Sequence, residues 1–213
     1  MGYRWRRFRL CLKKKQNQEE VNDLVKRLKA FYAFYRVNKV DLYFGDEVGF
    51  SLKPSMAYGW QLPKKQVRIL PKNSKRINIF GLLSPCNTLC TYSTEKTVDG
   101  SFICECINDF SSKIKRETVI VLDNAPVHRN QQFYKHIEDW NKKGLYIFFL
   151  PKYSPHLNII ETLWRFMKYK WLKPEDYTSW TKFKKKINCI IEQYGVEYKI
   201  NFDLNTFTRL LLS

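Results

Sequence analysis

"VIVLDNAPVHRN", residues 119–130, ends a short apolar run on a carboxylate. Val119, Ile120 and Val121 are β-branched and Leu122 continues them, which suits a strand covered on both faces. Asn124, Ala125 and Pro126 then read as a turn into a helix. Asp123 therefore stands at the C-terminal end of a buried strand, where open α/β sheets form their ligand crevices, although an acid before Asn-Ala-Pro is also ordinary turn chemistry.

Outward from this stretch the pattern is regular. Strand 119–122, a helix over about 126–142, a strand over 145–149 and a helix from about His156 to Trp171 form a βαβα series. Upstream, "VDLYFG" from Val40, "QVRIL" from Gln66, "INIFGLL" from Ile77 and "TLCTYS" from Thr88 read as consecutive antiparallel strands. "GSFICECINDFSSKI" from Gly100 reads as a helix. The spacing of Val21, Leu24, Val25, Leu28, Phe31 and Tyr32 predicts an amphipathic helix after a loose basic arm. "WTKFKKKINCIIEQY" from Trp180 predicts a last helix, and "FTRLLL" from Phe207 an apolar tail that docks on the body. A mixed sheet with helices on both faces is the expected architecture.

Composition narrows the function. A chain of 213 residues that is 44% hydrophobic can bury one sizeable core. Its 38 Lys and Arg against 20 Asp and Glu give a formal charge of +18, a field that attracts a polyanion, with nucleic acid the leading partner. The spacing of the six cysteines matches neither a disulfide framework nor paired zinc ligands, so buried, reduced thiols are expected. No run approaches the roughly 20 apolar residues of a bilayer span, so no membrane partner is expected. The N-terminal "RWRRFRL" lacks the apolar centre of an export signal.

Two more acids gain meaning beside Asp123. Asp46 follows "DLYFG", at the expected end of the first strand. Glu161 falls within the stripe of Leu157, Ile160, Trp164, Met167 and Trp171, so it is expected to face inward. A buried carboxylate is costly unless it forms an ion pair or binds a metal, and Lys and Arg are plentiful enough for the first. Strand-end acids joined by a helix acid can also converge as the oxygen ligands Mg²⁺ prefers. Two such ions about 3.5–4 Å apart clamp the attacking and leaving oxygens of a phosphodiester displacement.

The segments "LYFGDEVGF", "AYGW", "VIVLDNAPVH" and "LPKYSPHLNIIETLWRFMK" resemble the catalytic core of mariner-type transposases, most closely the bacterial insertion-sequence branch. The resemblance runs from about Val40 to Lys173, and the 37 residues between Asp123 and Glu161 are close to the family's usual interval. It implies a ribonuclease H-like α/β fold, a mixed five-stranded sheet with helices on both faces. It also implies an Asp46, Asp123, Glu161 triad that binds two Mg²⁺ ions, with Mn²⁺ as a substitute. The implied activity is metal-dependent cleavage at mobile-element ends and strand transfer into target DNA. The implied partners are double-stranded DNA and a second copy of the chain, in a bacterial cytoplasm at the nucleoid or in a eukaryotic nucleus.

On this reading residues 1–38 are a basic arm and linker helix, the tail of a missing N-terminal DNA-binding region; 39–175 are the catalytic core; and 176–213 are a helical extension packed on it. One departure is Ile159 where the family usually has proline, which alters only the rigidity of the helix start. A catalytically inactive or domesticated DNA-binding remnant, or a related ribonuclease H-like nuclease, are the alternatives.

Neighbouring residues carry weaker expectations. Glu47 accompanies Asp46, but adjacent strand residues point to opposite faces, so Asp46 is favoured. Asn124 is expected to cap the following helix. His128 is either a phosphate or supporting contact or a solvated histidine. Asn158 is expected to orient the loop and helix start, and Tyr58 and Trp60 either stack on DNA or pack in the core.

Overall fold

Alternation along the strands sorts the apolar residues onto two sides of one sheet. The computed structural model describes residues 18–53, 75–125, 131–152 and 154–202. Helix α1 (Gln18–Arg36) precedes strands β1 (Asp41–Ser51), β2 (Arg76–Leu83) and β3 (Leu89–Thr94). Then follow α2 (Gly100–Ser111), β4 (Thr118–Leu122), α3 (Gln131–Lys142) and β5 (Leu145–Phe149). The last helices are α4 (Ile160–Phe166), extended by a π turn over Met167–Trp171, and α5 (Trp180–Glu192). The sheet order is β3-β2-β1-β4-β5. β1 pairs antiparallel with β2, as β2 does with β3, whereas β1–β4 and β4–β5 are parallel. This is the mixed five-stranded sheet of a ribonuclease H-like fold.

On one side Leu42, Phe44, Ile79, Val119 and Val121 pack with Leu28 of α1, Leu163 of α4 and Phe183 and Ile187 of α5. On the other, Phe80, Leu82, Ile120 and Leu122 pack with Ile103 and Ile107 of α2 and Phe133 and Trp140 of α3. Every residue of β4 is buried, as a strand covered on both faces requires. Each fully buried Leu, Ile or Phe contributes about 1.5–3 kcal/mol of hydrophobic stabilisation. The helix starts are locally encoded: Asp99 accepts from the Phe102 N–H at 2.9 Å to cap α2, and Ser179 accepts from the Lys182 N–H at 3.3 Å to cap α5. Cys104 and Cys106 are buried free thiols of α2.

Two expectations change. The first strand does not end before Asp46 but runs to Ser51, because its ladder with β2 continues to the Ser51–Arg76 pair while that with β4 stops at Phe44–Val121. The helix expected over 156–171 is broken: a 3₁₀ turn (Pro155–Leu157) precedes α4, and the Asn158 side chain between them bonds to β1. "QVRIL", "FTRLLL" and the basic arm lie outside the described residues. Among the described residues, no helix is long and apolar enough to cross a membrane.

Candidate active site

The three acids approach from separate elements. Phe44 and Phe50 place the even-numbered residues of β1 on the α4 side, and Asp46 takes that side with them. Beyond Phe44 the β4 ladder has ended, so Asp46 has a strand neighbour on one side only. Its partner across the β2 ladder is Gly81, where an added Cβ would stand 2.7 Å from Cη2 of Trp164. The bare glycine therefore lets the indole from α4 lie against β2 beside Asp46. Asp123 is the first residue past β4, two beyond Val121, and its Oδ1 accepts the Ala125 N–H at 3.1 Å. Glu161 occupies the first turn of α4.

Glu161 does not face inward as its stripe suggested. Ile160, Leu163, Trp164 and Met167 form the buried stripe, and Glu161 is exposed beside it. The break at Asn158 and Ile159 starts α4 anew, so Leu157 no longer sets its phase. Glu161, Arg165 and Lys168, at i, i+4 and i+7, share the adjoining face. That face borders a cleft of about 370 Å³ whose lining includes Asp46, Glu47, His156, Asn158, Trp164 and Tyr169.

The electrostatics join the acids. Desolvation lifts the Asp46 carboxyl well above its ordinary range, and the charges of Glu47, Asp123 and Glu161 push it further, against a backbone hydrogen bond from Glu47. Glu161 is raised by desolvation and then by Asp123, with Arg165 opposing. Desolvation, followed by the charge of Arg76, lowers the half-buried Lys168 amine, while Asp46 raises it. Lys168 Nζ also stands 5.8 Å from the centre of the Phe50 ring. The result is a group of carboxylates that repel one another across a cleft with two cations at its wall.

Among the described residues, no three His, Cys, Asp or Glu side chains are grouped closely enough to hold a metal ion by themselves. The donor chemistry nevertheless fits Mg²⁺ or Mn²⁺: the donors are hard oxygens, the charges of the three acids oppose one another, and Mg²⁺ is commonly held by one or two carboxylates with waters and substrate phosphate.

The weaker candidates separate. Glu47 borders the cleft and adds to the repulsion at Asp46, though alternation turns its side of β1 toward α2 and α3. The turn between Ala125 and Gln131, where Asn124 was expected to cap the helix, lies outside the described residues; Asn124 Oδ1 is buried without a partner, and the Asp123 side chain accepts the Ala125 N–H. Asn158 stands at the helix start, its carbonyl accepting the Glu161 N–H at 3.2 Å. His128, Tyr58 and Trp60 lie outside the described residues. Sequence reasoning missed Arg165, Lys168 and His156. The i+4 and i+7 spacing of the two cations from Glu161 was their available signal.

A family model described as DDE superfamily endonuclease matches residues 41–184, the span that holds all three acids. No curated protein sequence matches the chain. Among solved structures, the Mos1 transposase paired-end complex with left transposon end aligns with the whole chain and 63% of its own, at 14% identity and a TM-score of 0.64. The mariner Mos1 paired end complex with Mg aligns with the whole chain and 65% of its own, at 15% identity and a TM-score of 0.65. The Mos1 strand transfer complex gives a TM-score of 0.56 at 14% identity, again over the whole chain and 63% of its own. The chain thus spans less than two thirds of these proteins, and the likeness is one of fold.

Proposed function

Because the chain belongs to the DDE superfamily of endonucleases, we propose that it is the catalytic part of a DNA transposase, cutting phosphodiesters at mobile-element ends and joining the freed ends to target DNA. The observation that carries this reading is the placement of Asp46 and Glu161 in one cleft with Arg165 and Lys168, with Asp123 near enough for its charge to act on both acids. A cleft of paired like charges is stabilised by a cation, and its basic wall by an anion; a metal-bound phosphodiester brings both.

Asp46 on β1, Asp123 at the end of the neighbouring β4, and Glu161 on α4 are the residues that would hold the metal. When bound, two Mg²⁺ or Mn²⁺ ions supply activation of a water or 3′-hydroxyl and charge stabilisation at the leaving oxygen. The chain's other groups bind and orient. Arg165 and Lys168 offer charged donors to non-bridging phosphate oxygens. Trp164 adds a donor-only N–H, buried without a partner at the same cleft. Hydrolysis and end joining are both in-line attacks on phosphorus, so one arrangement serves both and no protein nucleophile is needed.

Support for the substrate comes from the structural neighbours, which are complexes with paired transposon ends, some with Mg or Mn, and a strand transfer complex. Two copies acting on two ends follow from the same reading, as does the bacterial insertion-sequence branch. The test is nicking of supercoiled plasmid by the purified chain in Mg²⁺ or Mn²⁺, beside Asp123→Asn and an EDTA control, followed by cleavage of element-end duplexes. Metal-dependent nicking lost in the variant is expected. Nicking that survives both EDTA and Asp123→Asn overturns the reading, and preferential cleavage of RNA–DNA hybrid would replace it with a ribonuclease.

A further inference from the structure

Asn158 sits where the two acid-bearing elements meet. It is 2% exposed, and its Nδ2 donates to the Gly45 carbonyl oxygen at 2.9 Å, immediately before Asp46. Its own backbone carbonyl accepts the N–H of Glu161 at 3.2 Å. One residue thus touches the backbone beside an acid on β1 and the backbone of an acid on α4. Its Oδ1 is buried with no hydrogen-bond partner, in a residue that lines the cleft. The orientation of the amide is determined, because exchanging oxygen and nitrogen would bring two acceptors together at Gly45.

A clamp between β1 and α4 needs only the donor. The acceptor is then left over, and an unmet buried acceptor costs about 1–3 kcal/mol. An amide oxygen is a hard, neutral oxygen of the kind that Mg²⁺ and Mn²⁺ take directly or through a bound water. Neutrality matters here, since a further negative charge would add to the repulsion already present among the acids. The indole N–H of Trp164, another residue that lines the cleft, is also unpartnered, but it is a donor and so suits an anion rather than a cation.

We propose that Asn158 is a positioning residue with two separable tasks: Nδ2 locks β1 to the start of α4, and Oδ1 belongs to the coordination sphere of the divalent cation, as ligand or as acceptor of an ion-bound water. The proposal rests on the metal-dependent reading above.

The two tasks are separated by Mn²⁺ titration calorimetry on the full chain, with thermal unfolding in EDTA and far-UV circular dichroism as folding controls. Asn158→Leu removes both atoms at similar volume; its Mn²⁺ Kd is expected to weaken by about 10–100-fold with the native spectrum retained. Asn158→Asp keeps an oxygen and loses the donor; it is expected to bind Mn²⁺ at least as tightly as the parent while its metal-free Tm falls. If the leucine variant does not fold, the aspartate variant carries the test, and weaker Mn²⁺ binding by it overturns the proposal. An unchanged Kd in a folded Asn158→Leu variant overturns it too, and leaves the metal-dependent reading standing. Absence of Mn²⁺ binding by the parent chain overturns both.

Discussion

The two sides of the sheet each bury an apolar core and are differently finished. Under α2 and α3, Trp140 Nε1 donates to Asn108 Oδ1 at 2.7 Å, tying α3 to α2, and Asp99 caps its helix. Under α4, Asn158 Oδ1 and Trp164 Nε1 lack partners, and Asp46 is held near charges of its own sign. A buried donor or acceptor without a partner is normally selected out of a stable core. Its concentration beside the acids marks the α4 side as the part built for an occupant and the α2–α3 side as the part that carries stability.

The comparison can be broken most directly at the acids. Asp46→Asn, Asp123→Asn and Glu161→Gln are each expected to lower plasmid nicking by more than about 10²-fold with circular dichroism unchanged; an active variant would remove its residue from the site. The opposite side should respond in the opposite currency. Trp140→Ala is expected to cost about 3–5 kcal/mol of stability in a denaturant titration, while the nicking rate per folded molecule is preserved.

Gly81 lies between these extremes. Gly81→Ala forces the Trp164 ring away from β2, at about 1–3 kcal/mol, and should lower both Tm and nicking with a changed tryptophan emission; a neutral result would show that the indole does not need its glycine seat.

The smallest effect sharpens the electrostatic contrast. The folded-state pKa of Asp46 is raised above its unfolded value, so its contribution to stability is fully present below the unfolded pKa and is lost as pH rises through the folded one. At neutral pH and without metal, Asp46→Asn is therefore expected to raise Tm by roughly 2–4 °C, the shift that about 1 kcal/mol gives in a chain of this size. The gain should shrink on acidification. A lower Tm for the variant at neutral pH would mean that Asp46 is stabilised by a partner rather than opposed by its neighbours.

Much of the molecule was legible in residue order. The four apolar residues before Asp123 specified a strand buried on both faces, and the segments from Gly100 and Trp180 read as the helices they form, although the sequence reading did not single out Asp99 and Ser179 as their caps. These features depend on side-chain period and on hydrogen bonds within a few residues, so the local sequence determined them. Asp123 was visible for the same reason, as the acid that ends the apolar run, whereas Glu161 was singled out from a stripe whose phase the fold changes.

What the tertiary structure decided is the set of choices that need a distant partner. β1 passes Asp46 because β2 continues to bond to it after β4 has ended. Asn158 breaks the helix at 158–159 while bonding to a carbonyl 113 residues away, and α4 begins a new phase that turns Glu161 toward the cleft. Gly81 admits Trp164 because the strand that carries it lies under that helix. Local period reports which residues are buried, but which strand outlasts its neighbour and which face of a helix meets a cleft follow from contacts that exist only once the chain has folded.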